Sequence, residues 1–148
     1  MNVIAFLKRL FWGTPTPSSV PLVGPNAIKQ VIVMRNDLNM RKGKMIAQGA
    51  HSSLSFLTRR LEHSDKIKLS EAEQEWLDTS FAKVCVRVDS EEQLLEIYQK
   101  AKDAMLEVHL ITDSGKTEFH GEPTRTCLAI GPDYSHRIDP ITGSLQLL

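Results

Sequence analysis

At 148 residues the chain is long enough for one domain with a full hydrophobic core. Its 41% hydrophobic and 24% charged residues are those of an ordinary soluble globular protein. The zero net charge hides an asymmetry: residues 29–60 carry seven basic residues against Asp37 alone, and residues 61–148 nine basic against seventeen acidic. This excludes a generally sticky protein and points to a local anion-binding surface, with uneven solvated charge as the bland alternative.

The elements follow in chain order. In residues 1–12, Val3, Ile4, Phe6, Leu7, Leu10 and Phe11 fall on one side of a helical wheel, with Lys8 and Arg9 opposite and Trp12 between them. Ten helical residues reach about 15 Å, half of a bilayer core of roughly 30 Å, so this segment cannot span a membrane. It is expected to contact a membrane surface weakly; a helix docked on the domain or on its dimer mate, or a tail without fixed structure, fits the same pattern. A processed targeting peptide fits less well. Residues 13–28 carry Pro15, Pro17, Pro21 and Pro25 with Gly13 and Gly24, which reads as a linker, so the folded domain is expected over 29–148.

Val31-Ile32-Val33-Met34 centres a first strand over about 29–35, and a helix from about 43 to 62 follows with the apolar stripe Ile46, Ala50, Leu54, Leu57 and Leu61. Ser70 and Glu73 form a capping box for a second helix to about Leu77. Phe81–Val88 is a strand, and Ser90 opens a third helix to about Met105. Glu107–Thr112 and Thr126–Ile130 are further strands, the last ending at Gly131-Pro132. Asp133 would cap a short helix to Ile138 that Asp139-Pro140 ends. Cys85 and Cys127 read as small buried hydrophobes.

Strands alternating with helices predict an α/β three-layer sandwich, its four-stranded sheet mixed but mainly parallel, with helices on both faces. The long loop between the third and fourth strands has no helical pattern. A parallel crossover needs a helix there, so one of these two strands is expected to run antiparallel.

Two constellations carry chemistry. Arg41, Lys42 and Lys44 lie between the first strand and its helix, where open α/β sheets bind anions. Lys44, Gln48 and His51 fall within about 60° of one another on that helix, as either a displayed polar stripe or a solvated face. Asp113 sits just past a strand end in a turn with Lys116 and Thr117 behind it; turn chemistry alone would explain its Asp-Ser-Gly, but Asp113 could pair with Lys44. Gly43-Lys44 is no phosphate-binding P-loop, since Leu38 stands at the first glycine and Met45 at the Ser/Thr. The cysteines lack ligand spacing and no His-x-x-x-His lies on a helix, so neither metal nor cofactor is expected.

The segment RNDLNMRKGKMIAQGAH (35–51), with TDSGKT, TCLAIGP and DPITGSLQLL in the same order, resembles peptidyl-tRNA hydrolases of the second, archaeal and eukaryotic type. The resemblance covers about residues 28–148. It implies cleavage of the ester between a peptide and the terminal ribose of tRNA, a mixed sheet covered by helices and a homodimer; hydrolysis without a metal is expected, in the cytoplasm or at the periphery of a membrane. Carried over by position, the family's functional residues fall on Lys44, Gln48, His51, Asp113, Thr117 and Thr126. Arg41, Gly49 and Lys116 depart from the usual glycine, larger residue and arginine, and the loop from Thr117 to Thr126 is slightly lengthened.

On this reading Asp113 orients or deprotonates water, Lys44 balances charge, and Gln48, Thr117 or Thr126 donates to the oxyanion. Thr117 as a nucleophile is a minority alternative. Arg35, Arg41, Lys42, Arg59 and Lys116 would hold tRNA phosphates. The rival is a non-catalytic tRNA- or protein-binding module on the same fold, which needs only the basic patch; an adaptor acting through the N-terminal segment is a third reading.

Overall fold

Alternation along β1 (Ile28–Arg35) sends Val31 and Val33 to one side of a sheet and Ile32 and Met34 to the other, so this strand has two buried faces. The computed structural model describes residues 24–64 and 66–148; the segment 1–12 and most of the linker lie outside them. Ala27 and Ile28 are already buried, so the folded domain takes in the end of the expected linker. After β1 come α1 (Lys42–Leu61), α2 (Glu71–Asp78), β2 (Lys83–Val88), α3 (Glu91–Asp103), β3 (Val108–Asp113), β4 (Thr124–Tyr134) and α4 (Ser135–Thr142).

The strands form one sheet in the order β2-β1-β4-β3. β1 and β2 pair in parallel, while β4 runs antiparallel to both β1 and β3. Three strands therefore share a direction and the fourth opposes them. The expected mixed sheet and its antiparallel strand are both present, but β4 lies between β1 and β3, which leaves one parallel pairing. Neighbouring antiparallel strands need no crossover helix, which is why the β3–β4 loop can do without one.

One face of the sheet packs Val86, Leu128 and Ile130 against Leu94, Ile97 and Ala101 of α3 and Ile138 of α4. The opposite face packs Cys127 and Ala129 with Met40 and Met45, and Ile28 with Phe56 of α1 and Trp76 of α2. The Ser70–Glu73 capping box opens α2 as expected, and Ser90 accepts from the Gln93 amide at the start of α3.

β4 outruns the predicted Thr126–Ile130. It continues through Gly131 and Pro132 because Asp133 and Tyr134 pair with Lys29 and Ile28, a register shift absorbing the irregularity. At Gly131 (φ +86°) a Cβ would stand 2.8 Å from the Asp133 amide nitrogen, so this position needs glycine. Asp133 consequently belongs to the strand and caps nothing; its carboxylate holds Arg137 at 2.5 Å. Pro140 lies inside α4 rather than ending it, forfeiting one backbone bond shortly before the helix stops.

The long helix departs most from its sequence pattern. Gln48, Ser52, Ser53, Ser55 and Phe56 are the buried residues of α1, whereas Ile46 is 72% exposed, Leu54 55% and Leu61 45%. Ile46, Ala50, Leu54 and Leu61 of the apolar stripe face outward, Leu57 packs partly against Phe56 and Trp76, and a polar seam faces the sheet. That seam is stable because it is satisfied: Gln30 exchanges bonds with Ser53, and among the described residues no buried side-chain nitrogen or oxygen lacks a partner. Cys127 is buried as expected, but Cys85 is exposed, because it points from the edge strand toward a part of the sheet that α1 leaves uncovered. No helix among the described residues is long and apolar enough to cross a membrane.

Candidate active site

β1 and β3 run the same way, so their carboxyl ends meet one edge of the sheet, where the antiparallel β4 begins. Lys44 in the first turn of α1, Asp113 at the end of β3 and Thr126 near the start of β4 thereby converge from positions far apart in sequence. The Lys44 ammonium lies 2.6 Å from Asp113 Oδ1, contacts Oδ2 as well, and donates to Thr117 Oγ1 at 3.0 Å. These three acceptors match the three N–H groups of an ammonium. The pair is nearly enclosed, with 13% of the lysine side chain and 7% of the aspartate exposed. The Phe119 ring lies 5.6 Å from Lys44 Nζ.

The loop between Asp113 and Thr124 folds tightly enough to bring Thr117 over the helix. Gly115 accepts from the amides of Phe119 and Gly121, both at 3.0 Å. A Cβ on Gly115 would fall 2.2 Å from the Glu122 carbonyl oxygen, and φ is +79°. The glycine of TDSGKT is thus a backbone requirement of the site.

One turn along α1, Gln48 is buried and its Oε1 accepts from Thr126 Oγ1 at 2.5 Å. Cys127 Sγ donates to the Gln48 carbonyl at 3.3 Å, and burial pushes that thiol up to about 11. Thr126 commits the amide oxygen of Gln48. The NH₂ group, which unlike the oxygen is not fully enclosed, has no hydrogen-bond partner among the described residues. His51, the third member of the predicted stripe, is exposed and makes no such bond either. The structure therefore divides the stripe into a paired lysine, an anchored glutamine and an open histidine.

The basic residues divide too. Arg35 is buried, donates to Asp37 at 2.6 Å and 3.1 Å and to Glu91 at 3.0 Å, and also reaches the Arg125 carbonyl. The hydrogen bond to Asp37 leads the causes that raise its pKa. This arginine ties β1 to α3 and does not join an open phosphate surface, because Asp37, two residues on, and the remote Glu91 of α3 both take its guanidinium. Arg41 is exposed at the α1 N-cap, where Glu118 takes its Nε at 2.7 Å and its backbone N–H at 3.3 Å. Lys42 and Lys116 are exposed without an ion pair among the described residues, and Arg59 is exposed 3.4 Å from Glu62.

Glu118 is the site residue that sequence reasoning missed. Its hydrogen bond to Arg41 lowers its pKa, and it places a carboxylate at the positive end of α1. Nothing within its own loop signals a partner 77 residues away. Among the described residues no three His, Cys, Asp or Glu side chains converge as a metal site would require.

A lysine at the start of α1 paired with an aspartate at the end of β3, beside further basic residues, lies where open α/β sheets bind their ligands. The chain belongs to the peptidyl-tRNA hydrolase PTH2 family, which residues 28–148 match. It is 46% identical to the peptidyl-tRNA hydrolase of Methanocaldococcus jannaschii, covering 82% of this chain and 100% of the relative. With the peptidyl-tRNA hydrolase of Methanothermobacter thermautotrophicus the identity is 45%, over 82% of this chain and 100% of the relative. A solved protein of unknown function from Agrobacterium tumefaciens strain C58 shares the fold at 14% identity, with a TM-score of 0.52 over 81% of this chain and 96% of that one.

Proposed function

We propose that Lys44, Asp113, Thr117, Gln48 and Thr126 carry the hydrolysis of peptidyl-tRNA that goes with membership in this family. The observation that carries the assignment is the enclosed contact of Lys44 with both Asp113 oxygens and Thr117. Asp113 orients a water against the ester carbonyl and receives its proton. As the C–O bond to the ribose breaks, the ribose oxygen leaves with the proton that Asp113 received, which restores the carboxylate, and the peptide leaves as a carboxylic acid. The positive charge of Lys44 offsets that of the developing oxyanion, and the uncommitted NH₂ of Gln48 supplies a hydrogen bond to it. Thr126 gives its hydroxyl proton to Gln48, so its role is to position that amide. Thr117 holds the third face of the ammonium.

The chemistry runs without a metal in this reading, because Lys44 supplies the positive charge at Asp113. Arg41, Lys42, Arg59 and Lys116 hold backbone phosphates of the tRNA, their exposure supporting that role. The test is incubation of the purified chain with peptidyl-tRNA under chelator, scoring released tRNA and peptide. Hydrolysis by the parent chain but not by Lys44→Ala supports this assignment. Tight tRNA binding without turnover would make the chain the non-catalytic binding module.

A further inference from the structure

β2 stands at one end of the strand order, and its alternation sends Val84, Val86 and Val88 to the core beneath α3. Lys83 and Cys85 therefore point to the other side of the sheet, into a groove of about 460 Å³ beside the outward face of α1. Ile46, Ala50 and Leu54 line this groove from α1, and among the described residues around it Lys83 alone carries a charged side chain. An apolar groove holding one amine and one thiol sets two nucleophiles beside a surface that fits an aliphatic chain. The hydrolysis assigned to Lys44 and Asp113 uses neither.

The two nucleophiles are neighbours. Residues two apart on a strand share a face with their backbones about 6.6 Å apart, within the reach of a lysine side chain. Lys83 Nζ rests 3.3 Å from the centroid of the Phe81 ring and 4.5 Å from that of Trp76, and it donates to the Phe81 carbonyl at 3.2 Å. The ring faces attract only the ammonium, so loss of its proton releases the amine from them. Burial lowers the pKa of Lys83 to about 8, against the pull of the rings, which makes free amine available without strong base. The Cys85 thiol is exposed, whereas Cys127 is buried with its thiol pushed up to about 11.

We propose that Cys85 and Lys83 form an acceptor pair for aliphatic acyl thioesters, with the acyl chain seated in the groove. The Cys85 thiolate attacks the acyl carbonyl, a new C–S bond forms, and the bond to the carrier sulfur breaks. The carrier leaves as a thiol with the proton that Cys85 gave up. The free amine of Lys83 then attacks the same carbonyl, forming a C–N bond as the bond to Cys85 Sγ breaks. The proton lost from nitrogen restores the Cys85 thiol. The amide is more stable than the thioester, so the transfer runs one way and removes the charge of Lys83.

The test incubates the full chain with octanoyl-coenzyme A and maps acylated residues by mass spectrometry. Lys83 should be acylated about tenfold faster than the exposed Lys42 and Lys116, and Cys85→Ala should remove that advantage. Lys83→Arg should stop the reaction at a hydroxylamine-sensitive thioester on Cys85. Acetyl-coenzyme A should modify Lys83 about tenfold more slowly than the octanoyl thioester, a preference that Leu54→Asp removes. Thermal melts matching the parent verify the fold of each variant. An unchanged Lys83 rate in Cys85→Ala overturns the proposal, as does a Lys83 rate no greater than that of Lys42. Equal rates with the acetyl and octanoyl thioesters overturn the seat of the acyl chain.

Discussion

The two faces of α1 invert the usual arrangement of an amphipathic helix. Toward the sheet it presents Lys44, Gln48 and three serines, all in hydrogen-bonded or ion-paired positions; toward the outside it presents Ile46, Ala50, Leu54 and Leu61. The inner face holds catalytic candidates in fixed positions at a cost in apolar burial, and Phe56 is the one large apolar side chain that α1 buries fully. The outer face keeps the apolar surface that a helix of this composition would otherwise bury. A helix can thus take its orientation from a satisfied polar network rather than from its apolar stripe.

Truncating each face separates them most sharply. Phe56→Ala should cost about 3–5 kcal/mol in chemical denaturation, while Leu54→Ala should stay within about 0.5 kcal/mol. Similar losses at the two positions would mean that the outer face belongs to the folded core. At the inner face, Lys44→Ala and Asp113→Asn should each lower peptidyl-tRNA turnover by roughly 10²-fold or more with the fold retained. Parental rates in both would remove the pair from the site.

A smaller effect tests the anchoring of Gln48. Gln48→Ala and Thr126→Val should each reduce kcat about tenfold with little change in KM, and the double variant should lose no more than the worse single one. Multiplying losses would show that the hydroxyl acts independently of the amide. Smaller again is the salt response. Replacing Arg41 and Lys42 with alanine should flatten the dependence of log KM on log salt by about 0.7–0.9 for each phosphate no longer neutralised. Glu118→Gln should steepen it by freeing Arg41, and an unchanged slope in both would move phosphate binding elsewhere.

The smallest effect is acid sensitivity. Hydrogen bonds from Arg35 hold Asp37 below its ordinary 3.8, and His109 with Arg60 holds Glu107 below 4.5. Both folded values lie below the unfolded ones, so the stability they contribute is complete above the ordinary values and is lost as pH falls through the folded ones. Thermal melts of the parent and Arg35→Met should therefore converge between about pH 5 and pH 2.5. A constant difference would show that Arg35 acts through packing alone.

Much of this architecture is legible in the chain itself. Element order, the capping box at Ser70, and the antiparallel strand after a helix-free loop all follow from local chemistry: hydrogen-bond acceptors near helix starts, residue periodicity, and the chain length that a crossover needs. Lys44 and Asp113 are readable as partners because each ends or follows a strand at the same edge of the sheet. Arg35 and Arg41 are legible as basic residues but not as paired ones, since Asp37 is the only one of their carboxylate partners nearby in sequence.

By itself, then, the sequence determined the order and type of the elements, the glycine that the loop after Asp113 requires, and the residue types of the site. Only the tertiary structure decided which way α1 faces, that Cys85 is open while Cys127 is closed, and that Thr126 acts on Gln48. Periodicity records which residues share a side of a helix; it does not record whether that side meets a sheet, a partner or water. That choice depends on hydrogen-bond partners brought in from other elements, such as Gln30 to Ser53 and Thr126 to Gln48, whose energies are absent from any local pattern.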